Sequence, residues 1–287
     1  MNLISSKNKT LIILSFLVAI LPISLLIGSL IINLITVIVS IIFIFELFIK
    51  KKFNFLHDWS FYLLLFLWIS LLVNLIFSQD INLSIFRATG FIRFIFLAQA
   101  IRYLFLINDT KYKDFILKSW LLVFLVVNVD LLIEYFSGKN ILGYKSNLDG
   151  RLASFLDDEL KIGGYYFGFC LISLATIYSY FKKDYKIIFA FALVFLIIAF
   201  LIGERSNFIK ILFSTIIILF FYFREHKLKL LSLSLVCIIV FASIIYKHEN
   251  LKYRYFSQWN VNNIKTNIYF THYKTAILVF KKYPFFG

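Results

Sequence analysis

The chain has 287 residues, 61% of them hydrophobic, a mean hydropathy of +0.88 and a formal net charge of +15. A soluble domain holds roughly 45–50% apolar residues. The excess here lies in long runs nearly free of charge, which excludes a large soluble core. Lipid offers no partner to backbone N–H and C=O groups, so runs of about 20 apolar residues must be helices. The alternating segments of about ten residues that a β-barrel needs do not occur. The expected class is an all-α polytopic membrane protein of about nine spans, forming one membrane domain over 1–287.

In chain order, Lys7 and Lys9 precede an apolar run from Leu11 to Ile49, which is too long for a cleaved signal peptide. It reads as spans near 10–27 and 31–49, with a tight turn at Gly28-Ser29 and a kink at Pro22. Lys50-Lys51-Lys52 closes the second span, and Glu46 is placed to pair with Lys50 one turn on. Three more spans follow at 59–77, 84–107 and 115–136, then a polar segment at 137–161. Spans at 162–181, 187–203, 206–223 and 230–246 complete the set. The tail 247–287 is polar and aromatic and includes an amphipathic stretch from Tyr269 to Lys282, suited to a membrane surface. Cys170 and Cys237 lie in different apolar runs without pair or metal spacing and read as small buried hydrophobes.

Lysines and arginines gather at 7–9, 50–52, 111–113, 182–186 and 224–229, whereas the short loops at Gly28 and 78–83 carry none. The positive-inside rule therefore puts the amino terminus in the cytoplasm, and the segments 137–161 and 247–287 on the outer, periplasmic side. The net charge is read as topology and attraction to anionic headgroups, not as a nucleic-acid footprint. Basic residues kept in the two outer segments point to an anionic ligand there, or reflect polar segments that cross regardless of charge.

Charges inside spans are costly and tend to pair or to line a cavity. Arg102 and Lys118 are near enough to the cytoplasmic face to snorkel. Arg93 lies roughly 13 Å from the outer end of its span, and Asp130 and Glu134 roughly 9 Å and 3 Å from the outer end of the next, at about 1.5 Å per residue. Antiparallel neighbours at similar depth predict a buried Arg93–Asp130 ion pair. The other reading puts Arg93 in a polar cavity.

Three outer-face segments stand out. Gly150-Arg151 leads through Ser154, Phe155 and the acidic run Asp157-Asp158-Glu159 to Gly163-Gly164. Gly203-Glu204-Arg205-Ser206-Asn207 is an abrupt hairpin between apolar helices, with Arg205 at a helix start, where free N–H groups favour an anion. The third runs from Thr271-His272 to Lys281-Lys282 and Pro284 to Gly287. Each has a plain reading too: Arg151 pairs with Asp157 or Asp158, Glu204-Arg205 is a snorkelling turn, and His272 is a surface residue.

Together these segments resemble the O-antigen ligase and O-antigen polymerase family, membrane enzymes that join lipid-linked glycans. The pattern R-x-S-x-F-x-D-E-x-x-x-G is similar to Arg151, Ser154, Phe155, Asp158, Glu159 and Gly163, with the first serine displaced by one. The pattern G-E-R-[ST] matches Gly203 to Ser206, and H-x-x-x-[TL]-A…F-K-x-x-P-x-x-G resembles His272, Ala276, Phe280, Lys281, Pro284 and Gly287.

The resemblance implies an inverting glycosyltransferase that needs no metal or other cofactor. Its donor would be an oligosaccharide on undecaprenyl pyrophosphate; its acceptor would be lipid A-core (ligase) or a second lipid-linked glycan (polymerase). It implies a bacterial inner-membrane location with a periplasmic active face. The leaving group is an anionic lipid pyrophosphate, which arginine forks match bidentately. Arg151 and Arg205 are the candidates for that clamp. His272, Asp158 and Glu159 are the candidates to take the acceptor proton. A transporter or flippase of lipid-linked oligosaccharide is the alternative class. The family pattern continues past Gly287 with another outer segment and more spans, so the chain is expected to be truncated.

Overall fold

The structure is a computed structural model. It describes residues 6–78, 80–107, 109–147, 150–156, 161–181, 184–223 and 268–284, with 235–236, 239, 241–243, 246–247, 249, 252 and 255. The chain is all-helical, with no strand among the described residues. Helices α1 (Ser6–Ala19), α2 (Leu21–Ile27), α3 (Ser29–Lys50), α4 (Trp59–Asn74), α5 (Ile81–Gly90), α6 (Ile92–Leu106) and α7 (Thr110–Ser137) precede the polar segment. Helices α8 (Ile162–Tyr180), α9 (Tyr185–Leu201), α10 (Arg205–Tyr222) and α11 (Ile268–Lys282) follow it.

Among the described residues, six helical stretches are long and apolar enough to cross a membrane, and the bent pair α1–α2 raises the number to seven. Each expected span from the first to the eighth has its helix, although α9, at 17 residues, is short for a crossing. The ninth, at 230–246, falls largely outside the described residues. The bend of 44° between α1 and α2 falls beside Pro22, which cannot donate a backbone hydrogen bond to the preceding turn. Where helices start in polar loops, acidic caps set the boundary: Asp58 accepts from the Ser60 N–H, Asp80 from Leu83 and Asp184 from Lys186.

The chain forms two compact units. The first holds α1, α3 to α6 and α11; the second holds α8 to α10 and α7 from Leu117 onward. In the first unit, α3 buries Ile35, Thr36, Val39, Ser40, Phe43, Glu46 and Leu47, a stripe at helical spacing that packs against α6 and α1. Glu46 is tied by the expected Lys50 ion pair and by the Thr10 hydroxyl at 2.5 Å. Arg102 pairs with Asp58 at 3.0 Å and lies over the Phe55 ring, a specific partnership where snorkelling alone was expected.

The second unit has one apolar core. Phe124, Val127 and Leu131 of α7 meet Tyr166, Cys170 and Leu174 of α8, with Phe195 and Ala199 of α9 and Phe208 and Ile211 of α10. Cys170 is a free, fully buried thiol, as its apolar run implies; Cys237 is outside the described residues. The Tyr166 hydroxyl, wholly buried, lies 2.6 Å from Asn128 Oδ1 and 3.1 Å from the Phe195 carbonyl. Asn128 Nδ2 donates to the Phe124 carbonyl at 2.7 Å, so this polar knot is satisfied within the unit.

Arg93 and Asp130, expected to form an ion pair, belong to different units, and each has a local network of its own. Arg93 Nη2 donates to Asn33 Oδ1 at 3.0 Å, and its guanidinium lies 5.0 Å from the Phe94 ring centre. The Arg93 carbonyl accepts from Ser40 at 2.8 Å. Asp130 spends both oxygens on the polar segment that follows its own helix. Arg93 meets Asn33 because α6 packs against α3 within the first unit.

Candidate functional site

The end of α7, the beginnings of α8 and α10 and the turn after α9 are joined by the segment 150–156, all within the second unit. Its foundation is a carboxylate pair on α7. Asp130 is fully buried and Glu134 is 4% exposed. Asp130 Oδ1 accepts the Ile141 N–H at 2.8 Å, and Oδ2 accepts the Ser154 hydroxyl at 2.6 Å. Glu134 accepts the backbone N–H groups of Ala153 at 3.0 Å and Ser154 at 2.7 Å. Asn140 Nδ2 donates to the Ser154 carbonyl at 2.6 Å. Every polar group of Ser154 is thereby used, which holds it at φ +53°, a left-handed conformation uncommon outside glycine.

Just upstream of Ala153 and Ser154 the chain meets the α9–α10 turn. The Leu152 N–H donates to the Ile202 carbonyl at 3.3 Å. Gly203 is left-handed at φ +76°, and a Cβ there would fall 2.1 Å from the Gly150 carbonyl oxygen and 3.5 Å from Arg151 Cα. Only glycine serves both requirements. Through this contact the Gly150-Arg151 segment and the Gly203-Glu204-Arg205 segment, fifty positions apart in sequence, share one end of the helices.

Arg151 is half-buried, and its Nε is enclosed without a hydrogen-bond partner among the described residues. Arg205 begins α10 and is half-buried. Glu204 precedes it; its Oε2 accepts from Asn207 Nδ2 at 2.6 Å, while its Oε1 is buried and unbonded among the described residues. That carboxylate sits in a notch at the first turn of α8, where a Cβ on Gly163 would come 2.2 Å from Oε2. Asn207 Oδ1 in turn lies 3.5 Å from Lys210 Nζ, which hovers over the Phe167 ring.

The arrangement is a cation and a carboxylate with unsatisfied atoms, fixed by backbone contacts on a helical platform. Such a site can hold a ligand that carries both an acceptor, such as a phosphate oxygen, and a donor, such as a hydroxyl. The structure brings together Arg151, Arg205 and Glu204 from the sequence-derived set. Asp158 and Glu159 lie outside the described residues. His272 lies on α11, in the first unit, and is exposed with the rest of that helix from Phe270 on. Asp130 belongs to the latch and Arg93 to the first unit. Sequence reasoning missed the roles of Asn140, Ser154 and Asn207. Their signal was polarity at a span end, next to glycines at 143, 150, 163 and 203.

Comparison of the chain with protein-family models, curated proteins and solved structures found no match.

Proposed function

We propose that the protein is a membrane glycosyltransferase that joins an undecaprenyl-pyrophosphate-linked glycan to a sugar hydroxyl, as an O-antigen polymerase or ligase does. In this reading the chain crosses the bacterial inner membrane about nine times, with the amino terminus inside and the 150–156 and 203–207 segments at the periplasmic face. The observation that carries it is the Gly150–Gly203 contact, which sets two arginine-bearing motif segments at one helix end. An anionic lipid pyrophosphate leaving from the anomeric carbon needs fixed cations, and Arg151 and Arg205 supply forks that match phosphate oxygens.

The test is genetic. The gene is deleted and surface polysaccharide is displayed on a gel. Single units on core with no long chains mark a polymerase. Bare core with accumulating lipid-linked polymer marks a ligase. Unchanged glycan rejects the proposal. Arg151→Ala and Arg205→Ala should copy the deletion at normal protein level. The bent pair α1–α2 is a feature that transporters share. If a flippase were the truth, lipid-linked units would instead collect on the cytoplasmic leaflet.

A further inference from the structure

We infer that Glu204 is the carboxylate that binds the acceptor sugar's hydroxyl and takes its proton. The inference rests on the glycosyltransferase reading and adds to it a residue that the sequence offered only as a cavity or structural charge. Glu204 occupies the N-cap position of α10, yet its side chain makes no capping hydrogen bond. Its carboxylate is turned instead to α8, where the absent Cβ of Gly163 leaves room for Oε2 and Asn207 holds that oxygen at 2.6 Å. The side chain is therefore aimed and anchored through one oxygen. The other, Oε1, is buried and accepts no hydrogen bond among the described residues.

A carboxylate is an acceptor at both oxygens, and leaving one buried and empty is destabilising. Oε1 thus calls for a donor, and a hydroxyl is one. The orphaned donor Arg151 Nε belongs to the segment that lies against the residue before Glu204. The two opposite charges nevertheless form no ion pair; the ion pairs among the described residues are Glu46–Lys50 and Asp58–Arg102. In an inverting displacement the entering hydroxyl and the leaving phosphate stand on opposite sides of the anomeric carbon. Such a reaction needs a carboxylate for the first and a cation for the second that do not neutralise each other, and Glu204 and Arg151, on segments in contact through Gly203 and Gly150, are such a pair.

The hydroxyl oxygen bonds to the anomeric carbon while its proton passes to Glu204 Oε1. The bond from that carbon to the phosphate oxygen breaks, and its electron pair leaves on the lipid pyrophosphate. Glu204 then releases the proton to water. Asn207 is a positioning residue, holding Oε2 so that Oε1 faces the acceptor.

The experiment uses the full chain in nanodiscs with its lipid-linked oligosaccharide and a glycan acceptor. Release of undecaprenyl pyrophosphate and binding of the donor are measured separately and normalised to folded protein by gel filtration. Glu204→Gln should lower turnover by about 100-fold or more, with donor binding held within about twofold. Glu204→Asp and Glu204→Asn shorten the side chain equally, but only aspartate takes a proton, so it should turn over at least about tenfold faster. Wild-type turnover in Glu204→Gln, or equal rates for the aspartate and asparagine variants, would overturn the role of Glu204 and leave the enzyme reading intact. A wild-type chain that releases no lipid pyrophosphate would overturn both.

Discussion

Asp130 with Glu134, and Arg151 with Glu204, are ionisable groups at the same end of the same helical unit, but their hydrogen bonding is opposite. On α7 both carboxylates are engaged by donors from the segment they anchor: the Ile141, Ala153 and Ser154 N–H groups and the Ser154 hydroxyl. Across that segment, Arg151 Nε and Glu204 Oε1 are buried without partners among the described residues. A satisfied buried network specifies architecture, whereas an unsatisfied one is a cost that only a ligand or water removes. The first pair is the scaffold that places the second.

The largest loss is expected at Gly203. Gly203→Ala forces a side chain into left-handed backbone and against the Gly150 carbonyl, neither of which can yield. A loss of about 3 kcal/mol or more is expected, with ligand binding lost as well. A titration of the detergent-solubilised variant with SDS would show it; an unchanged midpoint would mean that the two segments do not touch.

Glu134→Ala comes next. It strips two buried backbone N–H groups of their acceptor, so a loss of about 2–4 kcal/mol is expected in the same titration. Asp130→Asn should cost less, about 1 kcal/mol, because the amide oxygen keeps one donor and the Ser154 hydroxyl can turn to accept from the amide. In the first unit, Arg93→Met and Asn33→Leu should each cost about 1 kcal/mol, and a double-mutant cycle should show coupling between them. His272→Ala, on the exposed helix α11, should shift stability by less than about 0.5 kcal/mol.

The helices were legible because about 20 apolar residues have no other way to lie in lipid, and because lysines and acidic caps mark their ends. Pro22 foretold the bend near its span's end, and the Glu46–Lys50 pair followed from local spacing. Arg93's partner was not legible. Depth along a span says nothing about which helix faces which, and Asn33 drew no attention in an apolar run. The use of Asp130 and Glu134 was hidden for a related reason. Their partners are backbone N–H groups, and which of those lack a bond is known only once the segment is folded. At the site itself, Arg151, Arg205 and Glu204 were legible by residue type, but the notch at Gly163 and the anchor at Asn207 are properties of packing.

The most direct test of the contrast is the affinity of the purified chain in nanodiscs for undecaprenyl pyrophosphate, measured beside the SDS midpoint for wild type and Arg151→Ala. In the proposed reading Arg151 binds the pyrophosphate and is not part of the scaffold. Affinity should therefore fall by about tenfold or more while the midpoint stays within about 0.5 kcal/mol of wild type. Unchanged affinity with a lowered midpoint would make Arg151 part of the scaffold and contradict its role in binding.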